Sequence, residues 1–154
     1  MVINKSIRNL ILFVFYHEQE IKDLILEKRL DPQIQKTGGG GRAFVSNPTE
    51  SQAIRDLMPI ASVVFPSTTR FADAFVLKKP ETWIEIIDRI YDLYKDSSQW
   101  KIYDMKFHKG MSDEEIRTKL NISKQTFYLC LNDIIRFAHG YGEGSKAIPK
   151  RRWK

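Results

Sequence analysis

Between Ser112 and Ser123 the chain starts one helix, ends it and starts another, and few folds accept two helix starts so close together. Ser112-Asp113-Glu114-Glu115 has the chemistry of a capping box: the serine hydroxyl accepts from the amide three residues on, and the glutamate reaches back to the serine's own amide. A helix of about two turns is therefore expected from Asp113 to near Leu120, with Ile116 and Leu120 inward. Asn121 suits the left-handed conformation of a tight turn, Ile122 is the apolar plug, and Ser123 caps the next helix. In that second helix Phe127, Cys130, Leu131, Ile134 and Ala138 share one face, which predicts burial. Lys124, Gln125, Tyr128 and Asn132 fall on the other, and Gly140 reads as the helix end.

Two helices joined by a tight turn, with Ser123-Lys124-Gln125-Thr126 and Tyr128 opening the second, form the helix-turn-helix arrangement that enters the major groove of DNA. The second helix must offer hydrogen-bonding side chains to base edges, while its free amides and positive dipole end favour a phosphate. Gln125 has the chemistry to bridge an adenine, Lys124 a guanine or a phosphate, and Thr126 or Tyr128 a phosphate or a thymine methyl. The tail, with Lys150-Arg151-Arg152-Trp153-Lys154 at its end, either clamps backbone phosphates and stacks Trp153 on a base or is a solvated tail.

Charge is placed to match. The formal balance is +6 over 154 residues. Residues 31–99 carry 8 basic and 9 acidic side chains, whereas 100–139 carry 7 and 5 and 140–154 carry 5 and 1. The excess lies toward the C-terminal end, as a polyanion partner there would require.

Upstream, Ile7, Leu10, Ile11, Val14, Ile21, Leu24, Ile25 and the Lys28 stem form a helical stripe from Ile7 to Leu30, ended by Asp31-Pro32. The four glycines Gly38 to Gly41 make a flexible loop. They are no phosphate cradle, because Arg42-Ala43-Phe44 follow where a P-loop needs Gly-Lys-Ser/Thr. Asn47-Pro48-Thr49-Glu50 predicts a helix from residue 48, with Ile54, Leu57, Met58, Ala61, Val64 and Phe65 inward, a kink at Pro59 and a stop at Pro66. Residues 67–79 read as an irregular connection whose Phe71, Phe75 and Leu77 fold back on the core. Pro80 starts a helix running to about Lys95 with Trp83, Ile84, Ile87, Ile90, Tyr91 and Tyr94 on one stripe. Ser97 or Ser98 caps another, with Trp100, Tyr103 and Phe107 inward and Lys109-Gly110 closing it. No strand-like alternation stands out.

The remaining chemistry is sparse. His17, His108 and His139 are far apart and lack spaced ligands, so no metal is expected, and Glu114-Glu115 is explained by the helix dipole. The single Cys130 cannot pair within the chain and reads as core packing, which fits a reducing, cytoplasmic setting. The apolar run Leu10 to Tyr16 is far short of the roughly 20 residues a membrane span needs, and no cleavage site follows it, so a mature N-terminus and no membrane partner are expected. Neither a nucleophile with clustered arginines nor paired metal-binding carboxylates can be picked out, so the chain does not read as an enzyme and no cofactor is expected.

The run MSDEEIRTKLNISKQTFYLCLNDIIRFA resembles the helix-turn-helix of sigma-factor region 4 and of phage activators built on it, in which an S-x-x-E-I … L-x-I-S-x-x-T-x-Y pattern recurs. GGGGRAFVSNPTESQAI, followed by the Pro80-Glu81-Thr82-Trp83-Ile84 helix start, is similar to late-gene activators of the RinA/ArpU type from phages and prophages of Gram-positive bacteria. One departure is Arg117, where this motif carries a small Ala or Gly; a large side chain there must snorkel outward or open the angle between the helices. The resemblance implies a transcription activator that binds double-stranded DNA and recruits RNA polymerase, with a homodimer as a further candidate assembly. The alternative is a small terminase-type DNA-packaging protein, which would assemble as a ring beside a large ATPase.

The expected organisation is all-α. Residues 1–36 form an N-terminal helix, 37–46 a Gly-rich loop, 47–96 a helical core and interaction region, 97–140 the helix-turn-helix domain and 141–154 a basic tail. In this reading the C-terminal helices hold the promoter and residues 1–95 form the platform that dimerises or touches polymerase.

Overall fold

The apolar stripe from Ile7 to Leu30 folds as two helices. α1 covers Lys5–Tyr16 and is capped by Asn4, whose side chain accepts from the Ser6 amide at 2.9 Å. The helix stops at His17, whose amide still bonds back to the Phe13 carbonyl at 3.0 Å, and α2 runs over Glu18–Leu30. The break has a cause in the stripe itself. Val14 and Phe15 are buried, but the next position on that face is Glu18, and burial resumes only at Ile21. The expected stop at Asp31-Pro32 lies outside the described residues.

The computed structural model describes residues 2–30, 58–66 and 74–149. The Gly-rich loop, the helix start at residue 48, Ile54, Leu57 and Phe71 lie outside the described residues. The chain divides into two compact units, one of residues 1–18 with 82–154 and one of residues 19–81.

The second unit corrects the helix expected to reach Phe65 and the irregular connection expected after it. Ser62–Phe65 is a strand, β1, paired antiparallel with β2, Phe75–Lys78, in the register Val63↔Leu77 and Val64↔Val76. The pattern has period two: Val63, Phe65 and Leu77 are buried, while Val64 and Val76 are about half exposed. Val-Val-Phe and Phe-Val-Leu are β-branched and aromatic runs that suit a pleated surface, and prolines at 59 and 66 bracket the first, leaving no length for a helix. Pro59 thus precedes a strand and kinks no helix. Lys79, at φ 52, donates its amide to the Ala61 carbonyl at 2.8 Å and closes the pair. Within this unit Lys28 Nζ donates to the Ser62 carbonyl at 2.5 Å, and Glu81 accepts from the Ile60 amide at 2.9 Å and pairs with Arg29.

The first unit is helical. α3, Pro80–Tyr94, starts on its proline as expected and buries Trp83, Ile86, Ile87 and Ile90. Tyr91, expected inward, is 46% exposed, because Ile86 and not Tyr91 completes the buried stripe. Ser97 precedes α4, Ser98–Tyr103, with its hydroxyl turned back to the Tyr94 carbonyl at 2.6 Å. α4 then widens into a π-helical turn, Asp104–His108, in which the Lys109 amide reaches the Asp104 carbonyl at 3.0 Å, and Gly110 turns the chain at φ 65. α5 covers Asp113–Leu120 and α6 Lys124–Gly144. The described protein is therefore mostly helical, with one small two-stranded sheet.

α6 is the axis of this unit. Phe127, Leu131, Ile134, Ile135 and Ala138 are buried along it, and both α1 and α4 pack against it. Phe15 of α1, absent from the expected stripe, is fully buried with its ring edge-on to Tyr103 at 5.1 Å and Phe107 at 5.2 Å. Within this unit α1 shares its core with α6.

α6 also runs past Gly140, which was expected to end it. Gly140 is an ordinary helical position, and the turn comes at Lys146, at φ 61, after which the Ile148 amide bonds to the Gly142 carbonyl at 2.9 Å. Ile148 is fully buried. A Cβ on Gly142 would stand 2.7 Å from Ile148 Cδ1, so glycine is what lets the chain return so closely. Residues 141–149 accordingly belong to the core unit. Ile148→Ala is expected to lower unfolding stability by about 2–5 kcal/mol, read from urea denaturation, whereas a mere tail residue would cost nothing measurable.

Candidate nucleic-acid interface

Five local hydrogen bonds fix α5, the turn and the start of α6. The Glu115 amide donates to Ser112 Oγ at 3.3 Å, and the Ser112 amide donates to Glu115 Oε2 at 2.8 Å, completing the capping box. That backbone hydrogen bond, with the serine hydroxyl, holds the Glu115 carboxyl below its ordinary pKa. Asn121 takes the left-handed conformation at φ 52, ψ 49. Its amide returns to the Thr118 carbonyl at 3.2 Å and the Ile122 amide to that of Arg117 at 3.0 Å, the double closure of a Schellman ending. Ser123 Oγ then accepts from the Thr126 amide at 3.1 Å and caps α6.

The start of α6 thereby shows its polar side chains to solvent, while Phe127, Leu131, Ile134, Ile135 and Ala138 bury the opposite face. Ser123, Lys124, Gln125, Thr126 and Tyr128 are exposed, and Phe127, between them in sequence, is fully buried. The side chains of Lys124 and Gln125 make no hydrogen bond or ion pair with the described residues, so both heads are available to a ligand. Ser123 and Thr126 are engaged with each other, hydroxyl to hydroxyl, at 2.9 Å. Tyr128 donates a long hydrogen bond, 3.4 Å, to Asp113 Oδ2.

Lys106 braces this end from the π-helical turn. It forms an ion pair with Asp113, and its ammonium lies 6.0 Å from the centre of the Phe127 ring. Burial works against its charge, but its hydrogen bonds with Asp113 and Tyr16 and the electrostatic attraction of both together outweigh that and raise the Lys106 pKa. Sequence reasoning did not find this brace. Lys106 and Asp113 stand either side of the Gly110 turn, and no local pattern signals that they meet.

The other expected residues divide. Asn132, expected on the exposed face, is half-buried, with Oδ1 shut off from solvent and unpartnered among the described residues. Arg117 is half-buried, with its Nε covered and without a hydrogen-bond partner among the described residues. Cys130, expected in the core, is half-buried, and burial with the nearby Asp133 charge pushes its thiol pKa up, so it is held protonated. Lys150, Arg151, Arg152 and Trp153 lie outside the described residues. Leu129, which no sequence pattern singled out, is 54% exposed beside Tyr128.

Among the described residues no group of three or more His, Cys, Asp or Glu is placed to hold a metal ion, and no helix is long and apolar enough to cross a membrane. Comparison with protein-family models, curated proteins and solved structures finds no match for this chain.

Proposed function

We propose that the chain is a sequence-specific, double-stranded-DNA-binding transcription activator, in which α5, the Asn121 turn and α6 act as a helix-turn-helix and α6 is the reading helix. The observation that carries this reading is the run Ser123 to Tyr128, presented on the exposed end of a helix whose remaining length buries one face in the core. A helix that reads bases needs that combination, because a base contact specifies only if its side chain is held in register by something rigid behind it. Gln125 and Lys124 are the base-reading candidates, suited to adenine and guanine. Ser123 and Thr126, tied to each other at the cap, serve the phosphate at the helix N-terminus, and Tyr128 borders the same groove. Lys150, Arg151 and Arg152 supply further phosphate contacts in this reading. The resemblance to late-gene activators of phages extends it to recruitment of RNA polymerase at late promoters.

The test is selection from a pool of randomised duplexes. The expected result is a recovered consensus whose binding weakens linearly in log salt, with a slope of about −0.9 for each phosphate contacted. Absence of duplex binding at low salt, or binding that recovers no consensus, overturns the reading. Native mass spectrometry of the complex separates it from DNA packaging, since a ring of many subunits favours the latter.

A further inference from the structure

His108, at the end of the π-helical turn, has an acid at each ring nitrogen. Nε2 is 2.8 Å from Glu18 Oε2 and Nδ1 is 3.0 Å from Asp104 Oδ1. A neutral imidazole carries one N–H, so it satisfies one carboxylate and turns a lone pair toward the other; only the imidazolium donates to both. The groups that face it come from every element around it. Glu18, the first residue of α2, also accepts from Tyr103 Oη of α4 at 3.2 Å. Asp104 is shared with Lys109 Nζ at 2.8 Å, and the Trp100 and Tyr103 rings stand edge-on to the imidazole at 6.0 and 5.3 Å. Lys109 adds a positive charge that holds Asp104 ionised, so this carboxylate stays an acceptor throughout the neutral range.

We propose that His108 is a proton-operated latch: protonated, it clasps Glu18 at the α1–α2 junction to Asp104 of the π-helical turn, and deprotonated it releases one of the two. The turn it secures also carries Lys106, whose partner Asp113 accepts from Tyr128, so the latch is mechanically continuous with the exposed end of α6. The latch does not depend on what that end binds.

The direction of the pH dependence follows. Burial disfavours the imidazolium, but the hydrogen bonds and charges of Glu18 and Asp104 outweigh it and raise the His108 pKa. A raised folded-state value means that the latch contributes fully to stability below the unfolded pKa of about 6.5, and that the contribution is lost as pH rises through the folded pKa above it.

An NMR titration of the full-length protein from acid to mildly alkaline pH tests this without any variant. The His108 ring should titrate above the ordinary histidine value, carry protons on both nitrogens at its acid limit, and share its midpoint with the amide shifts of Lys106 and Tyr128. E18Q and D104N should each lower the midpoint, and H108Q should remove the fall in melting temperature across that range. A His108 midpoint at or below the ordinary value, a single ring N–H at the acid limit, or Lys106 and Tyr128 shifts that do not follow the ring would each overturn the proposal.

Discussion

Replacing Lys124 and Gln125 together by alanine should abolish discrimination between the selected duplex and random DNA, with the melting temperature unchanged. Both side chains are exposed and neither is paired within the described protein, so their removal deprives the fold of nothing. Each base contact of the bidentate kind is worth about 1–3 kcal/mol of discrimination, so the pair accounts for on the order of 100-fold or more. In the proposed reading residual salt-dependent binding to all sequences should survive, because the phosphate contacts proposed elsewhere are untouched. Fluorescence anisotropy against the two duplexes reads both quantities. Equal losses on both would mean that α6 positions the protein on DNA without reading it.

The neighbouring residue gives the opposite outcome. Phe127→Ala is expected to cost about 3–5 kcal/mol of stability, against a total of about 5–15 kcal/mol for a domain of ordinary size. The ring is fully buried beside the Lys106 ammonium, and its loss opens a cavity where Lys106 of the π-helical turn approaches the start of α6. Tyr128→Ala, one position on, gives up one long hydrogen bond from a side chain 39% exposed and should move the urea midpoint far less. Similar midpoints for the two variants would show that the burial pattern assigned to α6 is wrong.

What the sequence made legible was chemistry that closes within four residues. Ser112 and Glu115 cap each other, Asn121 occupies a left-handed turn and Ser123 caps α6, and each of these is decided by neighbours along the chain. The long-range features were not legible. Val63 and Phe65 are strand residues because Leu77 and Phe75 lie across from them, information absent from the window around Pro59 and Pro66. Gly140 carries a stop signal that the helix overrides, since its true end is set by Ile148 returning onto Gly142. Of the candidate site, exposure of Lys124, Gln125 and Tyr128 was readable from helical period. The coverage of Asn132 and Arg117 was not, because it depends on neighbours that helical period does not identify.

The packing of α1 on α6 also governs the order in which this protein is able to assemble. Ile11, Val14 and Phe15 are synthesised well ahead of α6, which begins only at Lys124. At the roughly 5–20 residues per second of translation, the nascent first helix waits on the order of 10 s with its apolar side bare. Closing so long a loop adds little equilibrium cost, because the entropy grows only with the logarithm of length, but it delays this long-range contact. The same connectivity means that a fragment starting after residue 95 would leave the α1-facing side of α6 uncovered, a sticky surface in place of a working half.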